Sequence, residues 1–295
     1  MENAFSYYHP SVNFMYFIAV VFFGMFFLHP VFLLISLICS SCYYLILKGK
    51  KGVKFLCMIL MIVAFLSVMN ALLIQMGETV LFTYADRVFT LEALTYGAVL
   101  GSMTASIIIW FSCYNEIMTS DKFTYLFGGF IPSISLLFSM VLRFVPNLEK
   151  KGKDISSARE CIGKAHFQGK FKDKMQNAQV IISIMTSWAL EGAVVTSDSM
   201  RSRGYGCADR RTNFAKYNFS SMDKSLLGVM ILCIIVVFYG MFLGVTKLEY
   251  YPKMIFYPIN IKFVLVAISY FILLIIPTFI HIIEELRWHI LRSKI

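Results

Sequence analysis

Leu142–Ile162 reads LRFVPNLEKKGKDISSARECI, and Ser197–Thr212 reads SDSMRSRGYGCADRRT. These two stretches decide the fold, because they belong to one charged insert, residues 143–217, while the sequence on either side of that insert is almost uniformly apolar. Residues 143–217 hold 14 of the 27 lysines and arginines against 7 acidic residues, so they carry +7 of the formal net charge of +10. Within them, two triplets of a small residue followed by arginine stand near the ends of predicted helices: Ala158-Arg159-Glu160 and Ser202-Arg203-Gly204. A lipid-embedded body with a cationic insert and two arginine handles is suited to being held by a soluble partner.

Working outward, the 295 residues are 58% hydrophobic and 15% charged, with a mean hydropathy of +0.71. Soluble domains run at about 45–50% apolar and about 25% charged. Both departures point to a membrane protein. Phe (28), Tyr (16) and Met (17) are abundant, which suits lipid contact and adaptable packing. With most of the chain in lipid, the positive charge favours anionic headgroups or an acidic protein surface, and nucleic acid is not expected as a partner. The seven cysteines are scattered, and most lie in apolar runs where a thiol acts as a small hydrophobe. Cys39 and Cys42 form a C-x-x-C, but within an apolar helix and without a redox-fold context. No secretory signal is expected, since nothing basic precedes the first apolar run and no small-residue cleavage site follows it.

A membrane crossing needs about 20 mainly apolar residues. The candidates are 12–28, 30–47, 55–75, 94–114, 225–245 and 261–282, the first two separated by His29-Pro30. A seventh apolar segment, 123–141, is settled by charge. Lys48, Lys50, Lys51 and Lys54 place the 48–54 loop inside by the positive-inside rule. Counting onward, the basic insert is also inside only if 123–141 does not span. The reading is an all-α polytopic membrane protein with about six transmembrane helices, cytoplasmic amphipathic coupling helices and both termini cytoplasmic. Its regions are 1–122, N-terminal membrane helices; 123–217, a cytoplasmic coupling-helix region; and 218–295, C-terminal membrane helices.

The insert predicts two helices. The first covers about 143–162, with Pro146 in its first turn. The second covers about 175–203 and ends at Gly204 and Gly206. Ile181, Ile184, Met185, Trp188, Val195 and Met200 give the second an apolar stripe at roughly helical spacing. Arg159 and Arg203 fall near helix C-termini, where the dipole favours a cation, so each has a purely structural reading as well. Lys170, Lys172 and Lys174, beside Phe167 and Phe171, read equally as a membrane-surface anchor or a solvated loop.

Leu142-Arg143-Phe144-Val145-Pro146, the Ala158-Arg159 pair, and Met200-Arg201-Ser202-Arg203-Gly204-Tyr205-Gly206 followed by Arg210-Arg211-Thr212 resemble the transmembrane T component of energy-coupling factor (ECF) transporters, a family related to cobalt permeases. His9-Pro10 and His29-Pro30 are similar too. The resemblance covers most of the chain and is most specific at 142–212. It implies a scaffold joining two ABC-type ATPases to a substrate-binding membrane S component, for uptake of a vitamin or other micronutrient across a prokaryotic cell membrane. It implies that Ala158, Arg159, Ser202, Arg203 and Gly204 dock on the ATPases, which bind the ATP, while this chain binds no cofactor. Two departures stand out: Glu160 replaces the glycine of the first motif, and Ser202 replaces the alanine of the second. Glu160 could clash with an acidic groove or pair with Lys164 at i, i+4. The exposed apolar faces of 123–141 and 178–196 are the expected S-component surface, with Ile181, Met185 and Trp188 as contacts; the other reading packs these residues against the chain's own helices.

The remaining motifs separate this role from others. The sequence has no G-x-x-x-x-G-K-[ST] phosphate loop for its own ATP hydrolysis. It has no H-E-x-x-H, its five histidines do not cluster, and the middles of its apolar spans lack charge. A conventional ABC permease remains an alternative, but Glu191-Gly192-Ala193 with Ser197 matches the E-A-A-x-x-x-G coupling loop poorly. A stand-alone intramembrane enzyme would need clustered acids or histidines at the membrane face. The chain therefore reads as a transporter subunit rather than an enzyme.

Overall fold

The computed structural model describes residues 4–74, 77–84, 87–128, 132–163, 171–207, 217–246, 248, 250 and 260–292. A short 3-10 turn, Ala4–Tyr7, leads into nine α-helices among these residues. They are α1 (Pro10–Phe26), α2 (Pro30–Lys48), α3 (Lys50–Leu73), α4 (Leu91–Ile117), α5 (Ser120–Gly128), α6 (Pro132–Cys161), α7 (Phe171–Ser202), α8 (Ser221–Phe242) and α9 (Ile261–Arg292). Strands β1 (Val80–Tyr84) and β2 (Arg87–Thr90) form one antiparallel hairpin between α3 and α4. The protein is an all-α, multi-pass membrane protein. Its chain divides into two compact units: Met1–Ser120 with Tyr217–Ile295, and Asp121–Lys216.

In the first unit, local chemistry sets the helix boundaries. His9 and His29 cap α1 and α2 in the same way, each ring Nδ1 accepting from the backbone N–H two residues on at 3.3 Å. Pro10 and Pro30 then occupy the first helical position, where a missing N–H costs nothing. Gly49, at φ 56°, turns the chain from α2 into α3 in a single residue. Beyond the hairpin, the buried carboxylate of Glu92 accepts from Thr79 N–H at 3.2 Å and fastens the hairpin to the start of α4.

Contacts fix which helix ends share a side. Lys48 at the end of α2 pairs with Glu116 at the end of α4. Asp223 in the first turn of α8 accepts from His9 N–H at 3.0 Å. At the opposite end, Tyr250 Oη donates to Leu28 O at 2.6 Å, and the His29 and Phe263 rings lie 4.9 Å apart. All six long helices of this unit therefore run from one face to the other. Ser120 and Tyr217, where the chain leaves this unit and returns to it, follow α4 and precede α8 at the Lys48–Glu116 and His9–Asp223 face.

The core between these helices is aromatic. Tyr16, Phe17, Phe23, Phe27, Phe32, Tyr43, Trp110 and Tyr270 are fully buried, and their rings meet mostly edge-on, as in Phe27–Tyr270 at 5.2 Å and 80°. The polar tips are satisfied inside the bundle. Trp110 Nε1 donates to Ser36 Oγ at 3.3 Å. Tyr16 Oη donates to Leu274 O at 3.1 Å, one turn before Pro277, a proline inside α9. Proline removes a helix hydrogen bond and crowds the preceding turn, and in lipid the freed backbone must be satisfied by a neighbour.

Glycine brings α3 and α4 together. A Cβ on Gly97 would lie 2.7 Å from Asn70 Cβ and 2.8 Å from Ser67 O, and one on Gly101 would lie 3.0 Å from Val63 O. This is the small-xxx-small geometry by which membrane helices approach backbone to backbone. Ser67 Oγ adds a hydrogen bond to Leu94 O at 2.8 Å across the same seam.

Among the described residues six helices are long and apolar enough to cross a membrane: α2, α3, α4, α7, α8 and α9. This set differs from the expected one by exchanging α1 for α7. Helix α1 is cut to 17 residues by Pro10 and by the break at Phe27–His29, roughly 25 Å of helix against about 30 Å of hydrocarbon. It is nonetheless among the most enclosed elements of the bundle. Helix α7 passes on composition, with a window mean hydropathy of 1.5, yet none of that window is buried.

Three expectations are corrected in detail. Helix α3 starts at Lys50, well before 55, and α9 runs on past 282 to Arg292. The loop after the third apolar run contains the hairpin. Most important, α6 is one continuous 30-residue helix with Pro146 in its interior, so no helix begins at 143. Pro146 and Leu142 are both exposed, so the Leu142 carbonyl that loses its helix donor is not sealed in an apolar core.

Candidate partner-docking site

The two arginine motifs lie in the second unit, where α6 and α7 pack antiparallel. The register is set by three contacts. Phe144 stacks on Trp188, with ring centroids 6.0 Å apart and planes 6° from parallel. Gly152 lies against Met185, such that a Cβ there would be 3.3 Å from Met185 Sδ. Arg159 Nη2 donates to Asn177 Oδ1 at 2.8 Å. Lys151 completes the seam, with Nζ 5.7 Å from the Trp188 ring, inside the range of a cation–π contact.

The two arginine motifs are alike in sequence and different in structure. Helix α7 ends at Ser202, and Gly204 follows at φ 80°. Tyr205 N–H donates to Met200 O and Gly204 N–H to Arg201 O, each at 3.0 Å. That pair of bonds is the Schellman closure, which needs a residue in the left-handed region, usually glycine. Arg203 is thus the cap residue, and Ser202, Arg203 and Gly204 are all exposed.

Helix α6 ends later relative to its motif. Glutamate at 160 is a good helix former where a glycine would stop the helix, so α6 continues to Cys161. Its left-handed glycine is Gly163, at φ 75°. Ala158 and Glu160 are exposed, while Arg159 is half-buried. Its Nη2 reaches Asn177, and its Nε is shut off from solvent with no partner. Lys164, the suggested partner of Glu160, lies outside the described residues. So do Phe167, Lys170, Arg210, Arg211 and Thr212. Lys172 and Lys174 are exposed in the first turns of α7.

Ile181, Met185 and Trp188 are half-buried on one face of α7. Met185 and Trp188 are engaged with Gly152 and Phe144 of α6, as above. The strongly exposed apolar side chains of α7 include Met175, Ile182, Leu190, Val194 and Val195, and those of α6 include Leu137, Val141 and Val145. Between the helices lies a cavity of about 860 Å³ lined by Met140, Phe144, Ile182, Met185, Trp188 and Leu190 among others. Arg143 lines this cavity and also, with Arg203, a second one of about 450 Å³. Lys153 and Glu149 pair at 2.9 Å on the outer face of α6; Lys153 holds the Glu149 carboxyl below its usual range. Among the described residues no group of three or more His, Cys, Asp or Glu side chains is placed to hold a metal ion.

Sequence reasoning missed Asn177 and Gly152. Asn177 was readable, since it precedes Ile181 and Met185 at four-residue intervals and is the polar member of that stripe. Gly152 had no comparable signal, because its role is set by the side chain opposite.

No protein-family model matches the chain. Over 115 residues it is 25% identical to a curated protein of Mycoplasma pneumoniae described as "Uncharacterized protein MG181 homolog". The matched stretch is 39% of this chain and spans about a quarter (26%) of that relative.

Proposed function

We propose that this chain is the transmembrane coupling subunit of an ECF-type ABC importer. It joins two ABC-type ATPase subunits to a substrate-binding S component and transmits their ATP-driven motion for uptake of a vitamin or other micronutrient. The ATP sits on the partners; this chain has no catalytic role and holds no cofactor. The membrane is the prokaryotic plasma membrane. The reading includes cytoplasmic termini: the first and last described residues of the first unit, Ala4 and Arg292, belong to elements that meet the face carrying Lys48, Lys50, Lys51 and Lys54, and basic loops remain inside.

One observation carries this reading: Arg159 and Arg203 mark opposite ends of an antiparallel helix pair. Arg159 sits beside Asn177, near the start of α7, and Arg203 caps its end. At 1.5 Å per residue the two are roughly 40 Å apart. A pair of cationic handles at that separation suits two separate soluble partners better than one. Guanidinium groups also fork onto carboxylates, which a lysine cannot do. Closure of the partners would draw the two ends of the pair toward each other, and the open apolar faces of α6 and α7 would carry that motion to a membrane-embedded neighbour. Such work requires that the partners bind the chain differently in their open and closed states.

The test is a detergent pull-down of the full chain with the two ABC-type ATPases encoded in the same genome. Wild type, Arg159→Glu, Arg203→Glu and the double variant are compared. Wild type is expected to retain two ATPase copies, each single reversal to weaken retention, and the double reversal to abolish it. Retention that ignores both reversals would leave the arginines as ordinary helix-end residues and end this reading.

A further inference from the structure

We propose that Asn177 is the positioning residue of the Arg159 handle: it fixes the guanidinium for its partner and ties the end of α6 to α7. The inference rests on the docking role proposed above and adds a residue that no arginine motif contains.

Three observations lead to it. Arg159 does not extend into solvent; its Nη2 is held by Asn177 Oδ1 at 2.8 Å across the helix pair. Asn177 is half-buried, on the same face of α7 as Ile181 and Met185. The Arg159 Nε is withdrawn from water and makes no hydrogen bond, although a buried donor left unpaired is costly. The side chain is thus gripped at Nη2, with Nε packed against the protein. An acceptor from a partner, a carboxylate or a backbone carbonyl, would meet a guanidinium whose rotamer is already chosen. A free arginine would have to lose side-chain entropy on docking.

Arg203 is the opposite case. It is exposed and held only through its backbone in the Schellman closure. One handle is therefore preset and the other free. The Asn177 bond also gives force applied to Arg159 a direct path into α7, the helix that bears Leu190 and Val194.

The experiment measures the affinity of the detergent-solubilised full chain for the same ATPase pair, in a double-mutant cycle. Leucine at 177 matches asparagine in size and favours helix, so Asn177→Leu removes the hydrogen bond while keeping the packing. Asn177→Asp has the shape of asparagine and keeps the acceptor, now as a carboxylate beside the guanidinium. The expected result is a loss of about tenfold for Asn177→Leu, about wild-type binding for Asn177→Asp, and no further loss from Asn177→Leu in an Arg159→Ala background. Should the leucine variant not be recovered from membranes, Asn177→Ala takes its place. If aspartate is as damaging as leucine, or if the losses at 159 and 177 multiply, Asn177 does not act by holding Arg159 through its acceptor and the inference is wrong. If Asn177→Leu binds normally while Arg159→Glu releases the ATPases, the inference fails and the docking role stands. If Arg159→Glu and Arg203→Glu also bind normally, the docking role itself has failed.

Discussion

The two units of this protein are built from helices of similar length and packed by different rules. In the first, large aromatic side chains are fully enclosed and glycines let backbones touch. In the second, no described side chain of α6 or α7 is fully buried, and a groove lies open along the pair. The contrast separates a close-packed frame from a loosely packed pair. A close-packed interior transmits strain and resists change, whereas elements with few enclosed contacts open and shift at low cost. The coupling role proposed above would draw on both.

The same substitution should separate the units by sign. Gly97→Ala places a methyl group within 2.7 Å of Asn70 Cβ and 2.8 Å of a backbone carbonyl oxygen. Overpacking of this kind costs about 1–3 kcal/mol, and we expect the upper part of that range because backbone cannot step aside. The measurement is thermal unfolding in detergent. An unchanged midpoint would mean that the α3–α4 seam is looser than described.

Next in size is Tyr16→Phe. It deletes the hydroxyl that serves Leu274 O near Pro277, and a net loss of about 1 kcal/mol is expected. Amide exchange should rise in α9 around 273–278 and stay level in α7. Uniform exchange throughout would show that the two units are less independent than their packing suggests.

The smallest effect should be favourable. Gly192 lies in the middle of α7 with nothing within 4 Å of an added Cβ. Gly192→Ala should strengthen the helix by about 0.8–1 kcal/mol, read as slower amide exchange along α7. Destabilisation instead would reveal a neighbour pressed against that face, and the groove would not be open.

Much of this architecture was legible in the sequence. Apolar length marked six helices of the first unit, and His29-Pro30 marked the break between the first two. The features that escaped depend on facing surfaces. Pro146 looks like a helix start because prolines favour the first turn, yet α6 continues through it. The stripe of Met185 and Trp188 was visible, but a stripe does not say what covers it, and α6 does. The two arginine motifs look equivalent in one dimension. Only the later position of Gly163 relative to Gly204 separates a half-buried arginine from an exposed one. Gly97 and Gly101 stood at the right spacing for close helix contact, a signal that could have been used.

The frame is discontinuous in sequence, and this has a consequence for how the protein is made. Helices α1 to α4 leave the ribosome before the insert, and their partners α8 and α9 only after it. At about 5–20 residues per second, the interval from Ile117 to Arg292 is roughly ten to thirty seconds. During that time the surfaces of Tyr16, Phe27 and Phe32 that will meet α9 face lipid or the insertion machinery. Helix α9 is therefore the keystone of assembly: a nascent chain interrupted anywhere in the insert has a membrane half whose aromatic core cannot close.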